Sequence, residues 1–230
     1  MDLDQLPDLS RARLVRARAR GTAIRDADRA VAVAFVADGS LLPADTLVRF
    51  DVTHGEDTAR RLADALTATG ARAIWFYGGD AVTRRAVASL DLAVRPAGAA
   101  FVDGGAPPAQ RVVFRPPAQR ERKTLPDLQR DHAPAFRAPY AEVAEIGGDA
   151  VGLVLSEALD QRWTELKTIV YPAHRGHGHG AAMLAAAAER LRGNGRSACA
   201  ASESFAGRER TVLERAGFRL ADYYFIAAKR

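Results

Sequence analysis

The chain has 230 residues, of which 48% are hydrophobic and 27% charged, a balance typical of a packed globular protein and not of a disordered one. Its net charge is +5 at neutral pH, and its single cysteine, Cys199, excludes an internal disulfide. No segment reaches the ~18 consecutive apolar residues of a membrane span, and the acidic N-terminus lacks the apolar core of a signal peptide. We therefore expect a cytoplasmic protein with no membrane partner.

An arginine-rich run near the N-terminus is the first feature in chain order, formed by Arg11, Arg13, Arg16, Arg18 and Arg20. It has two interpretations: an arm that binds nucleic acid or an anionic surface, or the solvated basic face of a helix. No aromatic residue interleaves the arginines and no nucleic-acid motif follows them. These observations favour the helix face over a nucleic-acid partner.

The first hundred residues alternate short apolar strands with helical segments. Strands are predicted at 31–36, 47–52, 73–77 and around 92–94, and helices at 57–68 and 80–90. This β-β-α-β-α-β order repeats the order predicted for residues 150–228, so one half of the chain echoes the other. The segment Gly104-Gly105-Ala106-Pro107-Pro108 is the natural boundary between them, which predicts domains at 1–105 and 110–230.

The second half is predicted to begin with a β-hairpin whose turn is Gly147-Gly148-Asp149, where glycine supplies the positive φ angles. In chain order the predicted segments are strands 140–146, 150–155 and 166–171, a helix from 181 to 191, strand 196–201, a helix from Ser204 to about Ala216, and strand 223–228. Gly217 suits the C′ position after the second helix.

The most informative segment is Arg175-Gly176-His177-Gly178-His179-Gly180, between a predicted strand and a predicted helix. Its glycines let the backbone turn tightly and aim N–H groups at one spot, where the helix N-terminus adds partial positive charge. The segment is therefore predicted to cradle a phosphate or pyrophosphate. It lacks the Gly-Lys-Ser/Thr end of a nucleotide-hydrolysing loop and the glycine spacing of a dinucleotide-binding loop.

A third phosphate-binding pattern, Arg/Gln-x-x-Gly-x-Gly/Ala after a strand that ends in a proline turn, does fit this segment. In this pattern the chain resembles the GNAT superfamily of acyl-CoA-dependent N-acetyltransferases. The run Leu213-Glu214-Arg215-Ala216-Gly217-Phe218 is similar to a second signature of that superfamily. The resemblance covers about residues 110–230 and implies an α/β (α+β) fold of mixed twisted sheets flanked by helices. Together with the repeated order of strands and helices, the resemblance predicts tandem GNAT-like domains. Domain 1–105 would be degenerate, because its equivalent loop at 53–57 holds two carboxylates that repel pyrophosphate.

The resemblance implies acetyl-CoA as co-substrate, with its pantetheine arm on the strand backbone and its pyrophosphate on the loop. The implied binding residues are Thr168, Ile169, Val170, Arg175, Gly176, His177, Gly178, His179, Gly180 and Ala181. The loop histidines suggest zinc as an alternative. A loop that aims N–H groups at an anion cannot readily converge three imidazoles on one cation, so no metal is predicted.

Acetyl transfer to an amine needs a base, a polarised thioester carbonyl and a stabilised or protonated thiolate. Glu165 is the candidate base and Glu203 the second choice, although Glu165 can equally be a solvated strand residue. Many superfamily members carry a tyrosine acid where this chain has Leu213. Tyr223 or Tyr224 is the candidate acid here, unless both are ordinary strand tyrosines and water supplies the proton.

Three functional classes are left open: an N-acetyltransferase for a small amine, amino acid or peptide amine, a non-catalytic acyl-CoA-binding regulatory module, and a nucleic-acid-associated protein. The missing tyrosine suggests the second class and the arginine-rich run the third. The glycine loop favours the first two, and acetyl transfer is the predicted function. The acceptor and a homodimer are not determined by the sequence.

Overall fold

The computed structural model of the chain describes residues 24–26, 32–36, 46–50, 73–77, 81–133, 139–202 and 207–229. The chain divides into two compact units, residues 1–99 with 222–230, and residues 100–221. The last nine residues thus group with the first unit, whereas the sequence assigns them to the second domain. The domain boundaries at 105 and 110 stay a prediction.

The first unit contains a mixed sheet. Its elements are β1 (Ile24–Asp26), β2 (Ala32–Val36), β3 (Thr46–Phe50), β4 (Ala73–Tyr77), α1 (Ala81–Ser89), the first part of β5 (Leu92–Asp103) and the last part of β11 (Phe218–Lys229). Strands β3 and β4 are parallel, and the pairs β1–β2, β2–β3 and β4–β11 are antiparallel. The predicted strands and the helix at 80–90 are confirmed, while the helix at 57–68 and the loop at 53–57 lie outside the described residues.

The second unit contains another mixed sheet, in the order β10-β9-β8-β7-β6, with helices on both faces. Its elements are β6 (Val113–Arg115), α2 (Gln119–His132), β7 (Tyr140–Ile146), β8 (Asp149–Ala158), β9 (Trp163–Val170), α3 (His179–Gly193), β10 (Ser197–Ser202) and α4 (Arg208–Arg215). Of the described pairs among these strands, β9–β10 is parallel, and β8–β9, β7–β8 and β6–β7 are antiparallel. The predicted mixed α/β fold is confirmed. No helix among the described residues is long and apolar enough to cross a membrane.

The two faces of the second sheet are set by residue alternation along β8 and β9. Leu153 and Ile169, which are paired across the strands, are buried in a cluster that also contacts Leu125 and Leu128 of α2. The next residue, Gly152, faces the other way, and a Cβ on it would lie 3.1 Å from the Met183 Cε of α3. Helix α2 therefore covers one face and α3 the other.

The hairpin between β7 and β8 forms where the sequence predicts it. Gly147 has φ +64° and Gly148 has φ +93°. Two successive positive φ angles are the requirement of the two-residue turn that matches the twist of antiparallel strands.

Edge strand β6 is joined to α2 by an ion-pair network centred on Arg115. The Arg115 Nε donates to Glu145 Oε1 at 2.6 Å, and its Nη1 donates to Glu121 Oε2 at 2.8 Å. The backbone N–H of Ala118 also donates to the Glu121 carboxylate, at 2.6 Å, which caps α2. The hydrogen bond from Arg115 is the largest of the effects that lower the pKa of Glu121 to about 2.

Candidate functional site

The glycine-rich segment has the predicted strand–loop–helix geometry. Strand β9 ends at Val170, a 3₁₀ turn follows at Pro172–His174, and α3 begins at His179. Gly176 and Gly178 have φ +89° and +79°, and Gly178 occupies the N-cap position of α3. Both angles are in the left-handed region, which favours glycine over residues with a Cβ.

The backbone N–H groups of this loop are available to an anion. The amides of Ala181 and Ala182 donate to the Gly178 carbonyl at 3.1 and 3.2 Å. Among the described residues, the backbone hydrogen bonds of turns and caps include none donated by the amides of residues 176–180. Residues 175–178 are exposed to solvent, and a Cβ on Gly176 or Gly178 would meet open space. Free N–H groups at a helix N-terminus make a site that a phosphate group fits.

Strands β9 and β10 separate next to this loop. Their parallel pairing joins residues 197–199 to residues 163–165 and ends at the Cys199–Glu165 pair. A cavity of about 190 Å³ opens beyond that pair. It is lined by Leu166, Lys167, Thr168, Val170, Gly180, Leu184, Ala200, Ala201, Arg208, Glu209, Val212 and Leu213.

The cavity and the loop form one continuous site, because Gly180 belongs to both and Val170, also in the lining, ends the strand that leads into the loop. A Cβ on Gly180 would lie 3.4 Å from Val170 Cγ2 and 3.4 Å from Val212 Cγ1, so the start of α3 packs closely against β9 and α4. The wall is mainly aliphatic. It therefore suits a flexible chain that carries a phosphate group at one end.

Charged side chains enter this aliphatic cavity from β9 and α4. The Lys167 Nζ donates to Glu209 Oε1 at 2.7 Å, and the Ser202 hydroxyl lies 3.4 Å from Glu209 Oε2. Arg208 is a further, exposed cation of the lining. Lys167, Arg208 and Glu209 were not among the predicted site residues. Glu209 follows Lys167 by 42 positions, so no local pattern pairs them.

Three of the predicted binding residues, Thr168, Val170 and Gly180, line the cavity. Ile169 does not: its side chain is buried in the core beneath α2, so only its backbone can contribute. The Arg175 Nε donates to the Val170 carbonyl at 3.2 Å, which holds the start of the loop against the end of β9. Ala181, in the first turn of α3, is partly buried.

The loop histidines are close together, with ring centroids of His177 and His179 5.8 Å apart and those of His174 and His179 6.2 Å apart. The His179 Nδ1 lies 3.3 Å from the Gln110 Oε1. Among the described residues, no group of three or more histidine, cysteine or acidic side chains is arranged to hold a metal ion.

Of the predicted catalytic residues, Glu165 lies in the described part of the second unit, on β9. Glu165 is only 4% exposed, lies between Glu157 of β8 and Cys199 of β10, and does not line the cavity. Tyr223 and Tyr224 are on the part of β11 that belongs to the first unit, and Glu203 lies outside the described residues. Leu213, which stands where the resembled superfamily often has a tyrosine, does line the cavity.

A comparison with known protein families gave a match within the second unit. Residues 109–218 match the model of the acetyltransferase (GNAT) family. A sequence search of curated proteins found no significant match.

Solved structures with the same fold include several acetyltransferases. A GNAT-family acetyltransferase from Colwellia psychrerythraea has a TM-score of 0.64 at 9% identity, with 87% of this chain and 81% of that chain covered. A GCN5-related N-acetyltransferase from Kribbella flavida has a TM-score of 0.63 at 14% identity, with 95% of both chains covered. A tandem GNAT protein from the clavulanic acid biosynthesis pathway has a TM-score of 0.60 at 15% identity, with 98% and 90% covered. At these identities the likeness shows the fold.

Proposed function

We propose that this chain, whose residues 109–218 match the model of the acetyltransferase (GNAT) family, is an acyl-CoA N-acyltransferase that moves an acetyl group from acetyl-CoA to an amine. The acceptor is the amine of a small molecule, an amino acid or a peptide. The observation that carries the proposal is the continuity of the glycine loop with the aliphatic cavity. A coenzyme A thioester has the same two parts, a pyrophosphate and a flexible pantetheine arm.

The residues present fit this substrate. The loop amides of residues 176–180 would receive the pyrophosphate, and the exposed Arg175 adds positive charge beside them. The pairing of β9 with β10 ends at Glu165. Beyond that residue, the edge of β9 that faced β10 can form backbone hydrogen bonds with the amide groups of the pantetheine arm. A thioester supplies an activated carbonyl, and the attacking amine must lose a proton for the transfer to be completed.

We propose Glu165 as the group that takes this proton, with Glu203 as the alternative. Glu165 is buried on β9, where a carboxylate is shielded from bulk water. Tyr223 and Tyr224 are the alternative acids for the departing thiol. Replacing the true acid with phenylalanine should lower kcat by about 10²-fold and leave acetyl-CoA affinity unchanged, because the group acts only in the transition state.

The proposed activity is tested by incubating the full chain with acetyl-CoA and pools of amines while measuring thiol release. Thiol release that requires one pool, with a product heavier than the amine by one acetyl group, is the expected result. Acetyl-CoA binding without thiol release from any pool would favour a regulatory acyl-CoA-binding module instead. Absence of binding would contradict the assigned site.

For the first half of the chain we propose a degenerate GNAT-like domain that binds no acetyl-CoA. The repeated order of elements in the sequence and the similarity in fold to a tandem GNAT protein support this proposal. Calorimetric titration should then give one acetyl-CoA per chain. A stoichiometry of two would refute the degenerate assignment.

A further inference from the structure

We propose that Lys167 stabilises the thiolate that leaves when acetyl-CoA is cleaved, and that Glu209 positions its ammonium group. This inference rests on the proposed function. It concerns the end of the cavity that lies away from the glycine loop. The position of Leu213 in the lining means that this part of the wall offers no hydroxyl to the sulfur.

The position of Lys167 in the cavity supports the assignment. The cavity lining follows β9 from Val170, beside the loop, back to Leu166. These two residues are four positions apart, which is about 13 Å along a strand. An extended pantetheine arm whose pyrophosphate is on the loop therefore directs its sulfur toward the Leu166–Lys167 end. A cation at that end is close to the atom on which negative charge develops.

The direction of the Lys167 side chain also supports its assignment as the cation that stabilises the thiolate. Leu166 and Thr168 line the cavity, and Lys167 alternates with them on β9, so its Cβ begins on the face that α2 covers. Its Nζ nevertheless reaches Glu209 on α4, on the other side of the sheet. The ammonium group therefore lies in the gap that opens where β10 separates from β9.

The hydrogen bonds of the ammonium group leave capacity for a substrate. An ammonium has three N–H donors, and one is directed at the Glu209 Oε1 at 2.7 Å. The Lys167 side chain is 24% exposed, so the charge is only partly screened by water. Glu209 therefore orients the Lys167 ammonium group, and the Ser202 hydroxyl contacts the other oxygen of the Glu209 carboxylate.

The role assigned to Lys167 is charge stabilisation and not proton donation, because its ammonium group is a cation held in place by the Glu209 carboxylate. The amine nitrogen forms the bond to the carbonyl carbon, the carbon–sulfur bond breaks with its electron pair on sulfur, and the amine proton goes to the base. The thiolate leaves as an ion pair with Lys167.

The variants Lys167→Met and Glu209→Gln separate this role from a structural one, because both break the same ion pair but only the first removes the cation. We expect Lys167→Met to lower kcat by about 10²-fold at unchanged acetyl-CoA affinity, Lys167→Arg to restore most of the rate, and Glu209→Gln to cost less than 10-fold. The control is Arg210→Met, which removes a charge of α4 outside the cavity lining. Its kcat should be that of the wild type.

A second measurement needs no acceptor amine. The thiol pKa of bound coenzyme A, followed by the ultraviolet absorbance of the thiolate, should be higher by one unit or more in Lys167→Met than in the wild type. Equal kcat losses in Lys167→Met and Glu209→Gln, or equal thiol pKa values, would overturn the assignment. A loss in Arg208→Met as large as that in Lys167→Met would assign the role to Arg208 instead. If coenzyme A binds with the expected pKa difference but no amine is acetylated, only the proposed function fails.

Discussion

Replacing Gly178 with glutamate should abolish most of the affinity for acetyl-CoA while leaving the fold intact. Gly178 has φ +79°, and the space where its Cβ would lie is open, so no clash accompanies the change. A residue with a Cβ costs about 1–2 kcal/mol in this left-handed conformation, which lowers stability without unfolding the domain. The new carboxylate would stand beside the N–H groups that are proposed to receive the pyrophosphate.

The size of the effect on binding follows from the repulsion between the two anions. Two unit charges 4 Å apart repel by about 4 kcal/mol at an effective dielectric of 20. The loop is exposed, so we take about half of this value, and ~2 kcal/mol corresponds to a roughly 30-fold higher Kd. Isothermal titration calorimetry with acetyl-CoA measures this change in Kd directly.

The matched control is Gly195→Glu, after the other end of α3. Gly195 has φ +71°, and its Cβ would also meet open space. Both variants should therefore lose similar thermal stability, but only Gly178→Glu should lose affinity. A Gly178→Glu variant that binds acetyl-CoA within about 3-fold of the wild type, or a Gly195→Glu variant that binds as weakly, would refute the assignment of the loop.

Three further changes test the packing, an ion pair and the base. Gly152→Ala should cost about 2–3 kcal/mol of unfolding free energy in a denaturant titration, because its Cβ would lie 2.3 Å from the Ile169 carbonyl oxygen; a loss under about 0.5 kcal/mol would contradict this. Glu121→Gln should lower the free energy of unfolding by about 1 kcal/mol at pH 7. The pKa of Glu121 falls from about 4.5 in the unfolded chain to about 2 in the folded one, so its ionised carboxylate stabilises the fold above pH 4.5. This difference from the wild type should vanish as the pH falls to about 2, and one that persists there would exclude the charged pair with Arg115. Glu165→Gln should reduce kcat by about 10²-fold at neutral pH and less at high pH, where the acceptor amine deprotonates unaided; an equal loss at every pH would show that Glu165 is not the base.

The sequence alone predicted the features whose cause is local. The turn at Gly147 and Gly148 and the loop at Gly176 and Gly178 need positive φ angles, and the structure has those angles at all four positions. From residue 140 onward, the order of strands and helices followed from apolar periodicity, whereas the mixed α/β fold was implied by the resemblance to one superfamily. Local rules suffice for these because backbone conformation depends mainly on neighbouring residues.

Helix α2 was not predicted, for a reason visible in its composition. It contains Pro126 and has no buried residue, so it lacks the apolar stripe by which helices are recognised. Its carboxylate cap, Glu121, and the partner Arg115 are six residues apart, and their pairing depends on how the edge strand packs.

The composition of the candidate site was decided by tertiary structure. Two parallel strands separate after Glu165 and Cys199, and this separation makes the cavity. Glu165 was selected from the sequence because of its chemistry and place on β9, but strand alternation alone did not fix its face, and it does not line the cavity. Lys167 reaches the cavity only because α4, 42 residues further on, brings Glu209 to the gap. A pattern of residues determines which groups a strand carries, whereas the packing of distant elements determines which of them meet.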